Sequence, residues 1–198
     1  MNKKISVIMS VYNDEKNVDD AIQSIINQTY QDFELLIMDD CSEDMTGKIC
    51  KEYEKNFENI KIYKNSKNLG LTKSLNILIS KSSGEYIARQ DSDDISLRSR
   101  FENQIDYIES EKLDGCSTLS LIKGKGTIFP KFSSYFNPKF IAKIKNPFVH
   151  GSLIIKKEVF NAVNNYDENF YYTQDYKLTS DMLNNGYKIR VLNELLYI

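Results

Sequence analysis

Four short apolar runs alternate with stretches of helical periodicity in the first 112 residues of the chain. The runs are rich in β-branched residues and nearly free of polar ones, which is typical of strands buried on both faces of a sheet. They predict strands at 5–12, 33–40, 60–66 and 85–90. Apolar residues recur at helical spacing in the remaining stretches, at 13–30, 41–57, 71–82 and 96–112. This alternation predicts an α/β fold with a doubly wound, mostly parallel sheet flanked by helices.

Beyond residue 113 the pattern is less regular. It predicts one or two strands around a Gly-rich turn at 113–132, a short proline-bounded helix at 135–147, a strand and a helix at 150–163, and a helix at 173–186. Ser42 is a predicted N-cap, and Gly84 and Gly186 are predicted helix stops. No repeat or low-complexity linker divides the chain, so we predict one domain over 1–198 with halves at 1–112 and 113–198.

The composition narrows the class of protein. With 41% hydrophobic and 27% charged residues the chain is typical of a globular domain, and its apolar runs are too short to span a bilayer. The net charge of −2 and the spread of 26 Lys and Arg along the chain provide no basic field that favours nucleic acid or an anionic membrane as a partner, and they indicate a solvated surface. The first 15 residues lack signal-peptide features, and three cysteines without a CxxC pair indicate a reducing, cytoplasmic compartment.

Acidic residues cluster where two of the predicted strands end. Asp39 and Asp40 close the second strand, and Asp91, Asp93 and Asp94 follow the fourth. Ligands of open parallel sheets bind beyond the carboxyl ends of the strands, so both clusters should border one crevice. Asp39 alone could equally cap a helix, but three Asp within four positions exceed what one cap needs and repel each other without a cation. An all-oxygen cluster favours Mn²⁺ or Mg²⁺, completed by water and substrate phosphate.

No glycine-rich phosphate loop accompanies these acids. The chain has neither GxGxxG after its first strand nor GxxxxGK[ST], so a metal would have to hold the diphosphate of a bound nucleotide. Tyr12 could stack on a base and Ser10 could donate a hydrogen bond. Asp40 could accept from a base N–H, as a uracil or guanine edge offers.

Several segments, in order, resemble glycosyltransferase family 2 with its GT-A fold. They are residues 5–46, "NLGLTKSLN" at 68–76 and "GEYIARQDSDDIS" at 84–96, followed by weaker similarity through "HGSLIIKKEVF" and "TQDYKL". The form of these motifs is similar to bacterial members that build capsule, lipopolysaccharide or cell-wall glycans. The resemblance implies a metal-dependent, inverting transfer of a sugar from a nucleotide-diphosphate donor, taken as UDP-linked, to a glycan or lipid-linked acceptor.

For the nucleotide, the resemblance implies that Ser10 and Tyr12 contact the base and that Asp40 takes its ring N–H. A half-buried aromatic at a strand end is the other interpretation of Tyr12. Lys73 could approach the phosphates, although a solvated lysine is at least as good an interpretation.

The DxD motif of the family falls on residues 91–93. The resemblance implies that Asp91 faces the ribose or the donor sugar and that Asp93 ligates the divalent ion. We predict that Asp94 caps the next helix and that Arg100 braces the acidic loop without taking part in catalysis.

Inverting members use one carboxylate as general base on the acceptor hydroxyl, commonly within a Glu-Asp pair. Here the matching segment makes Asp175 the candidate base, with Gln174 in place of the acidic neighbour and Thr179 where relatives often carry an aromatic. The resemblance puts His150 on the acceptor side, although a lone histidine is more often structural. Relatives usually continue beyond "NELLYI", so the chain could lack an acceptor-facing tail.

Two other interpretations stay open. A sugar nucleotidyltransferase would also use an α/β fold with an acidic metal site, but it would carry a Gly-rich basic loop where this chain has "SVYNDEKN". A degenerate, nucleotide-binding relative is favoured only by Gln174 and the early end of the sequence. Because acceptors of this kind are often lipid-linked, peripheral membrane contact without a transmembrane segment is also open.

Overall fold

A computed structural model describes residues 4–198, leaving aside the side chains at 132 and 133. The first half follows the predicted alternation. Its elements are β1 Ile5–Val11, α1 Val18–Ile26, β2 Phe33–Asp39, α2 Thr46–Asn56, β3 Ile60–Lys64, α3 Leu71–Lys81, β4 Tyr86–Arg89 and α4 Arg100–Ser110. Each agrees with its predicted span to within a few residues, except that α1 and α2 begin about five residues later than predicted.

The second half contains four strands and three helices among the described residues. They are β5 Gly115–Ile122, β6 Thr127–Phe129, α5 Pro138–Ile141, β7 Ile154–Lys156, α6 Lys157–Ala162, α7 Gln174–Asn184 and β8 Ile189–Tyr197. Two 3-10 turns, Phe132–Tyr135 and His150–Ser152, precede α5 and β7. The hairpin around the Gly-rich turn, the strand–helix pair and the last helix were all predicted, whereas β8 was not.

All eight strands join one sheet in the order β3-β2-β1-β4-β7-β5-β6, with β8 paired to β5. The first four strands are parallel, and β8 runs parallel to β5. Strand β7 is antiparallel to both β4 and β5, and β6 is antiparallel to β5. The sheet is therefore a parallel half joined to a mixed half, with helices on both faces.

The side chains of β1 point alternately to the two faces of the sheet, and helices cover both faces. Ile5, Val7 and Met9 point into a cluster with α1, α2 and α4, whereas Ile8 points into a second cluster with α3, α6 and α7. Successive side chains of a strand lie on opposite faces, so an unbroken apolar run is required where both faces are buried. The doubly wound prediction is confirmed.

Two predicted helix signals, Ser42 and Gly84, have other roles. Helix α2 begins at Thr46 rather than near Ser42, whose hydroxyl instead accepts the Asn13 N–H at 3.0 Å. Helix α3 ends at Lys81 with Ser82 as C-cap, so Gly84 is not its stop. Gly84 lies so close to the β1 backbone that a Cβ would come within 2.6 Å of the Ser6 nitrogen, which explains the glycine by packing.

Asp94 was predicted to cap the helix after it, and this is wrong. Helix α4 begins at Arg100, with Ser99 at its N-cap, so five residues separate the helix from Asp94. Gly186 does follow the end of α7, with φ of +90° and its N–H donating to the Leu183 carbonyl. Within 4–198, none of the helices has the length and apolar character needed to cross a bilayer.

Candidate nucleotide-sugar site

Three parallel strands end side by side at one edge of the sheet. Val11 at the end of β1 lies opposite Asp39 at the end of β2, and Ile8 lies opposite Arg89 at the end of β4. The Asp40 N–H donates to the Val11 carbonyl at 2.9 Å, so this pairing continues just past the strands. Residues 10–12, 39–40 and 89–94 therefore meet at the edge where ligands of open α/β sheets bind.

Reciprocal hydrogen bonds join the loop after β1 to the loop after β2. The Asn13 side chain accepts the Glu43 N–H at 2.9 Å, and Glu15 accepts the Met45 N–H at 2.9 Å. In the other direction, the Thr46 hydroxyl accepts the Asp14 N–H at 2.8 Å. The loops hold each other, which fixes the backbone on both sides of Tyr12 and Asp40.

The two predicted base contacts on β1 differ in exposure. Ser10 is partly buried in the strand, whereas Tyr12, just past its end, leaves 48% of its surface exposed. An aromatic ring of this size left half exposed at a strand end is available for stacking on a planar ligand.

Asp40 is buried and holds the loop that leads into α3. Its Oδ1 accepts the Asn65 amide at 2.7 Å and the Leu69 N–H at 2.8 Å, and its Oδ2 accepts the Gly70 N–H at 2.8 Å. Gly70 has φ of +84°, a conformation that favours glycine, and the next residue begins α3. Lys73 lies exposed in the first turn of this helix, above the loop.

Asp91 is held from two sides. The buried Arg89 guanidinium makes an ion pair with its Oδ1, and its backbone N–H donates to the Tyr197 hydroxyl at 3.1 Å. Gly151 lies so close that a Cβ would come within 2.7 Å of Asp91 Oδ2 and 2.2 Å of the Tyr197 hydroxyl. Any larger residue than glycine at position 151 would therefore displace the Asp91 carboxylate.

Asp93 differs from its two acidic neighbours because its side chain is exposed. Among the described residues, no hydrogen bond or ion pair occupies its carboxylate. Burial, together with the charges of Asp91 and Asp93, raises the pKa of Asp94 to about 6. The cluster thus carries unneutralised negative charge at an exposed carboxylate, which is the electrostatic condition for attracting a cation.

A second buried arginine supports the acidic loop, as predicted. Arg100 donates to the Ser96 hydroxyl at 2.6 Å, to Gln90 Oε1 at 3.1 Å and to the Arg89 carbonyl at 2.8 Å. Burial lowers the pKa of Arg100 to about 10, so it still carries its charge at neutral pH. Removing the side chain would leave several buried acceptors without donors.

The serine of the acidic motif links the two sides of the crevice. Its hydroxyl, Ser92 Oγ, donates to Asp14 Oδ2 at 2.7 Å, and Asp14 is itself fixed through Thr46. This link connects the loop after β4 with the loops after β1 and β2, which places Asp14 in the site although sequence reasoning did not single it out.

The predicted base, Asp175, lies in the first turn of α7 and is partly buried. Its Oδ2 accepts the Asn146 side-chain amide at 2.6 Å. Asn146 is held in turn, because its Oδ1 accepts the Phe148 N–H at 3.1 Å. The carboxylate therefore has a fixed orientation, with Oδ1 left without a described partner.

His150 belongs to the segment 146–151, which contacts Asp175 through Asn146 and Asp91 through Gly151. Its Nε2 is 2.8 Å from the Tyr166 hydroxyl. Burial and the charge of Arg89 lower its pKa to about 4, against the opposing influence of Asp91 and Asp175. The imidazole is therefore neutral at pH 7.

Of two cavities of similar volume, only one is bordered by residues of the acidic cluster. One of about 410 Å³ is bordered by Asp93 and Asp94. A larger one of about 500 Å³ is bordered by Glu85 and Lys156, at the opposite end of β4. We place the site beside the first cavity, at the ends of β1, β2 and β4, where Asp40, Asp91 and Asp93 follow neighbouring parallel strands. Within the described residues, no group of three or more His, Cys, Asp or Glu is arranged as a metal cage.

The sequence profile "Glycosyl transferase family 2" matches residues 6–175, which is most of the chain. The chain belongs to glycosyltransferase family 2. Among named relatives, it is 34% identical over 82% of its length to EpsE of Bacillus subtilis, named as a glycosyltransferase. It is 40% identical over 94% of its length to the O-antigen biosynthesis glycosyltransferase WbnJ of Escherichia coli. It spans 60% of EpsE and 74% of WbnJ.

Solved structures of glycosyltransferases share the GT-A fold of this family 2 chain. Staphylococcus aureus TarS 1–349, in complex with UDP-GlcNAc, matches with a TM-score of 0.83 at 23% identity, over 98% of this chain and 57% of that one. The mannosyltransferase PcManGT from Pyrobaculum calidifontis, in complex with GDP-Man and Mn²⁺, matches with a TM-score of 0.82 at 16% identity, over 98% of this chain and 56% of that one. At these identities the likeness establishes the fold.

Sequence reasoning missed three residues that contact the candidate site. Asp14 and Asn146 belong to polar stretches in which nothing distinguishes them from solvated residues. Tyr197 comes from β8, which pairs with β5 and carries its hydroxyl beneath the DxD loop. The apolar residues of "IRVLNELLY" were a signal that could have found this strand, although Asn193 and Glu194 interrupt the run.

Proposed function

We propose that this chain is the catalytic domain of a metal-dependent, inverting glycosyltransferase. It transfers a sugar from a nucleotide-diphosphate donor, UDP-linked, to a glycan or lipid-linked acceptor during synthesis of a cell-surface polysaccharide in the cytoplasm. Residues 1–112 form the donor-binding half and 113–198 the acceptor-side half. Family membership and the O-antigen role in the name of WbnJ support the reaction class, and UDP-GlcNAc in TarS supports the donor class.

One observation supports this proposal most directly: the segment 146–151 contacts both acidic groups, because Asn146 donates to Asp175 and Gly151 packs against Asp91 Oδ2. An inverting transferase reverses the configuration at the anomeric carbon. The leaving-group site and the base must therefore lie on opposite sides of that carbon. The acidic loop after β4 and the first turn of α7 supply these two sides.

The donor would lie across the ends of β1, β2 and β4. Tyr12 would stack on the base, with Ser10 donating beside it. Asp40 would accept the base N–H through Oδ2, which takes one described N–H and retains a lone pair. Lys73 would approach the phosphates from α3, and Asp91, oriented by Arg89, would face the ribose or donor sugar.

Asp93 fits a divalent ion that the substrate completes. Mg²⁺ and Mn²⁺ are often bound through one or two carboxylates together with phosphate oxygens and water, and they do not need a cage made only of protein groups. The exposed Asp93 carboxylate suits this arrangement. The Mn²⁺ in PcManGT supports a divalent ion in this fold. When bound, the ion offsets negative charge on the departing diphosphate.

Asp175 would act as the base. Its Oδ1 would take the proton of the acceptor hydroxyl as that oxygen attacks the anomeric carbon and the bond to the diphosphate breaks. Asn146 would hold the carboxylate in this orientation through Oδ2. His150, neutral at pH 7, would line the acceptor pocket without adding positive charge beside the base.

Titration calorimetry with UDP, GDP and dTDP, each with and without Mn²⁺, tests this function. We expect UDP to bind selectively and only in the presence of the metal. No binding by any of the three nucleotides would contradict the proposal and favour a degenerate relative. Metal-dependent binding of GDP or dTDP alone would retain the transferase and replace the donor.

A further inference from the structure

Charge is distributed unevenly along the second half of the chain. Residues 115–157 contain eight lysines and no Asp or Glu, although the chain as a whole carries 28 acidic residues and a net charge of −2. The lysines are spread along the sequence, as predicted, but the acids that would neutralise them here are missing. This segment is therefore basic within an acidic protein.

The same segment exposes large apolar side chains. Tyr135, Phe136, Phe140 and Ile144 leave 76%, 61%, 65% and 84% of their surfaces exposed. Single exposed apolar residues are ordinary on a protein surface, but four within ten consecutive positions are a patch that indicates a binding surface.

The backbone around α5 explains how these side chains come to face outward. Pro138 is buried, and Ala142 packs against the core cluster of the α7 side. Hydrogen bonds from the Lys145 and Ile144 N–H groups to the Ile141 carbonyl continue the helical path beyond α5. Phe140 and Ile144, four positions apart, thus share the side that points away from the core.

Lysines surround these apolar residues. Lys131, Lys139, Lys143 and Lys145 are all exposed, and the Lys143 ammonium lies 5.8 Å from the centre of the Phe140 ring. We call the four apolar residues and these four lysines the basic aromatic surface. Aromatic and aliphatic groups ringed by lysines are the pattern of a segment that lies in the plane of a membrane interface.

We propose that the basic aromatic surface docks on a bilayer containing anionic phospholipid. The lysines complement the negative charge of the lipid headgroups, and Phe140 and Ile144 enter the boundary between headgroups and acyl chains. A soluble polyanion would use the lysines but would gain nothing from an 84% exposed isoleucine. The charge pattern alone, with no acid in 43 residues, disfavours pairing with a second copy of this basic segment.

The position of this surface gives docking a consequence for the reaction, which rests on the proposed transferase function. Tyr176 of α7 donates its hydroxyl proton to the Ala142 carbonyl, and Asn146, just beyond the surface, donates to Asp175. The candidate base is therefore tied directly to the docking segment. A lipid-linked acceptor held in the membrane would present its glycan to Asp175 from that side.

Flotation of the full chain with vesicles tests the docking surface. Vesicles of phosphatidylcholine alone are compared with vesicles containing phosphatidylglycerol, at low and high salt and without nucleotide. We expect flotation only with the anionic vesicles, weakening as salt screens the lysines. Flotation that is equal on neutral vesicles, or absent on both, would overturn the proposal without any variant being needed.

Variants locate the contact. Replacing Lys139, Lys143 and Lys145 by Gln should lower partitioning about 100-fold, at about fivefold per lysine. Phe140→Ser with Ile144→Ser should lower it about tenfold or more, because less apolar surface is buried. The matched control replaces Lys48, Lys51 and Lys55 of α2 by Gln and should leave partitioning within about twofold of wild type.

Two further results would contradict membrane docking. If the α2 control variant bound vesicles as weakly as the variant at Lys139, Lys143 and Lys145, binding would follow net charge rather than this surface. A dimer in light scattering that dissociates on Phe140→Ser would assign the patch to a second copy. Nucleotide titration on the same preparation separates the two proposals, because flotation without nucleotide binding would overturn only the transferase function.

Discussion

The loops of the acidic crevice and the segment that carries the basic aromatic surface are stabilised in different ways. The loops after β1, β2 and β4 hold one another through reciprocal hydrogen bonds and through the link from Ser92 to Asp14. The segment 130–146 contacts β8 through its 3-10 turn and α7 through α5 and the ties to Tyr176 and Asp175, and it leaves four large apolar side chains in solvent.

This difference indicates what each region is built to bind. A rigid polar crevice orients charged groups before the ligand arrives, so little reorganisation is needed when a diphosphate and a metal enter. A basic segment with exposed aromatic rings gains stability only when something covers it. The acidic crevice is thus preorganised for a small ligand, and the basic aromatic surface is open to a large one.

The largest effect should come from Asp175→Asn. Loss of a general base lowers turnover by about 100-fold to 10,000-fold, and the isosteric amide should leave donor binding unchanged because Asp175 lies on the other side of the crevice. Turnover is measured as UDP release with acceptor present, and donor affinity by calorimetry. Turnover that stays near wild type would remove Asp175 from the role of base.

Asp93→Asn should weaken UDP binding about 100-fold when Mn²⁺ is present, which corresponds to about 3 kcal/mol. In EDTA the variant and the wild type should bind alike, so the metal-free titration is the internal control. Stability should not fall, since the Asp93 side chain is exposed. Unchanged affinity in Mn²⁺ would show that another group ligates the ion.

Asp40→Asn should lower the stability of the fold, a property that Asp93→Asn should leave unchanged. Its carboxylate is buried and accepts three N–H donors, so an amide nitrogen in place of one oxygen would oppose at least one of them. We expect the free energy of unfolding in urea to fall by about 2 kcal/mol. If the variant lost only UDP affinity and kept full stability, Asp40 would be a ligand contact without the loop-holding role seen here.

The donor half of the fold was predictable because its strands are buried on both faces. Continuous apolar runs such as 33–40 leave little choice of structure, and parallel pairing then fixes where each strand ends. The acidic residues come directly after these strands, so their shared location at one edge of the sheet could be predicted as well. Ser42 and Asp94 were misassigned because a side-chain cap and a loop contact use the same residue types, and only the partner, Asn13 or Tyr197, distinguishes them.

The acceptor half was less predictable because its contacts are distant in sequence. Asn146 meets Asp175, and Tyr197 meets Asp91, across separations that no local pattern encodes. Asp175 itself came from the family resemblance and not from spacing. The absence of acids between 115 and 157 was visible in the sequence, but it gained meaning only once Phe140 and Ile144 were found exposed.

The smallest predicted effect is on the pH dependence of stability, and it tests whether the His150 pocket is closed to water. Its pKa is about 4 in the folded chain and about 6.5 when unfolded, so between these values the unfolded state binds more protons. Stability from the neutral imidazole is therefore complete above pH 6.5 and is lost as pH falls towards 4.

His150→Gln keeps a hydrogen-bonding partner for Tyr166 but cannot titrate. Partial exposure reduces the full effect, so the variant should flatten the pH dependence of unfolding by about 1 kcal/mol over this range. An unchanged slope would mean that the His150 pocket admits water and protons freely, as the open acceptor surface does.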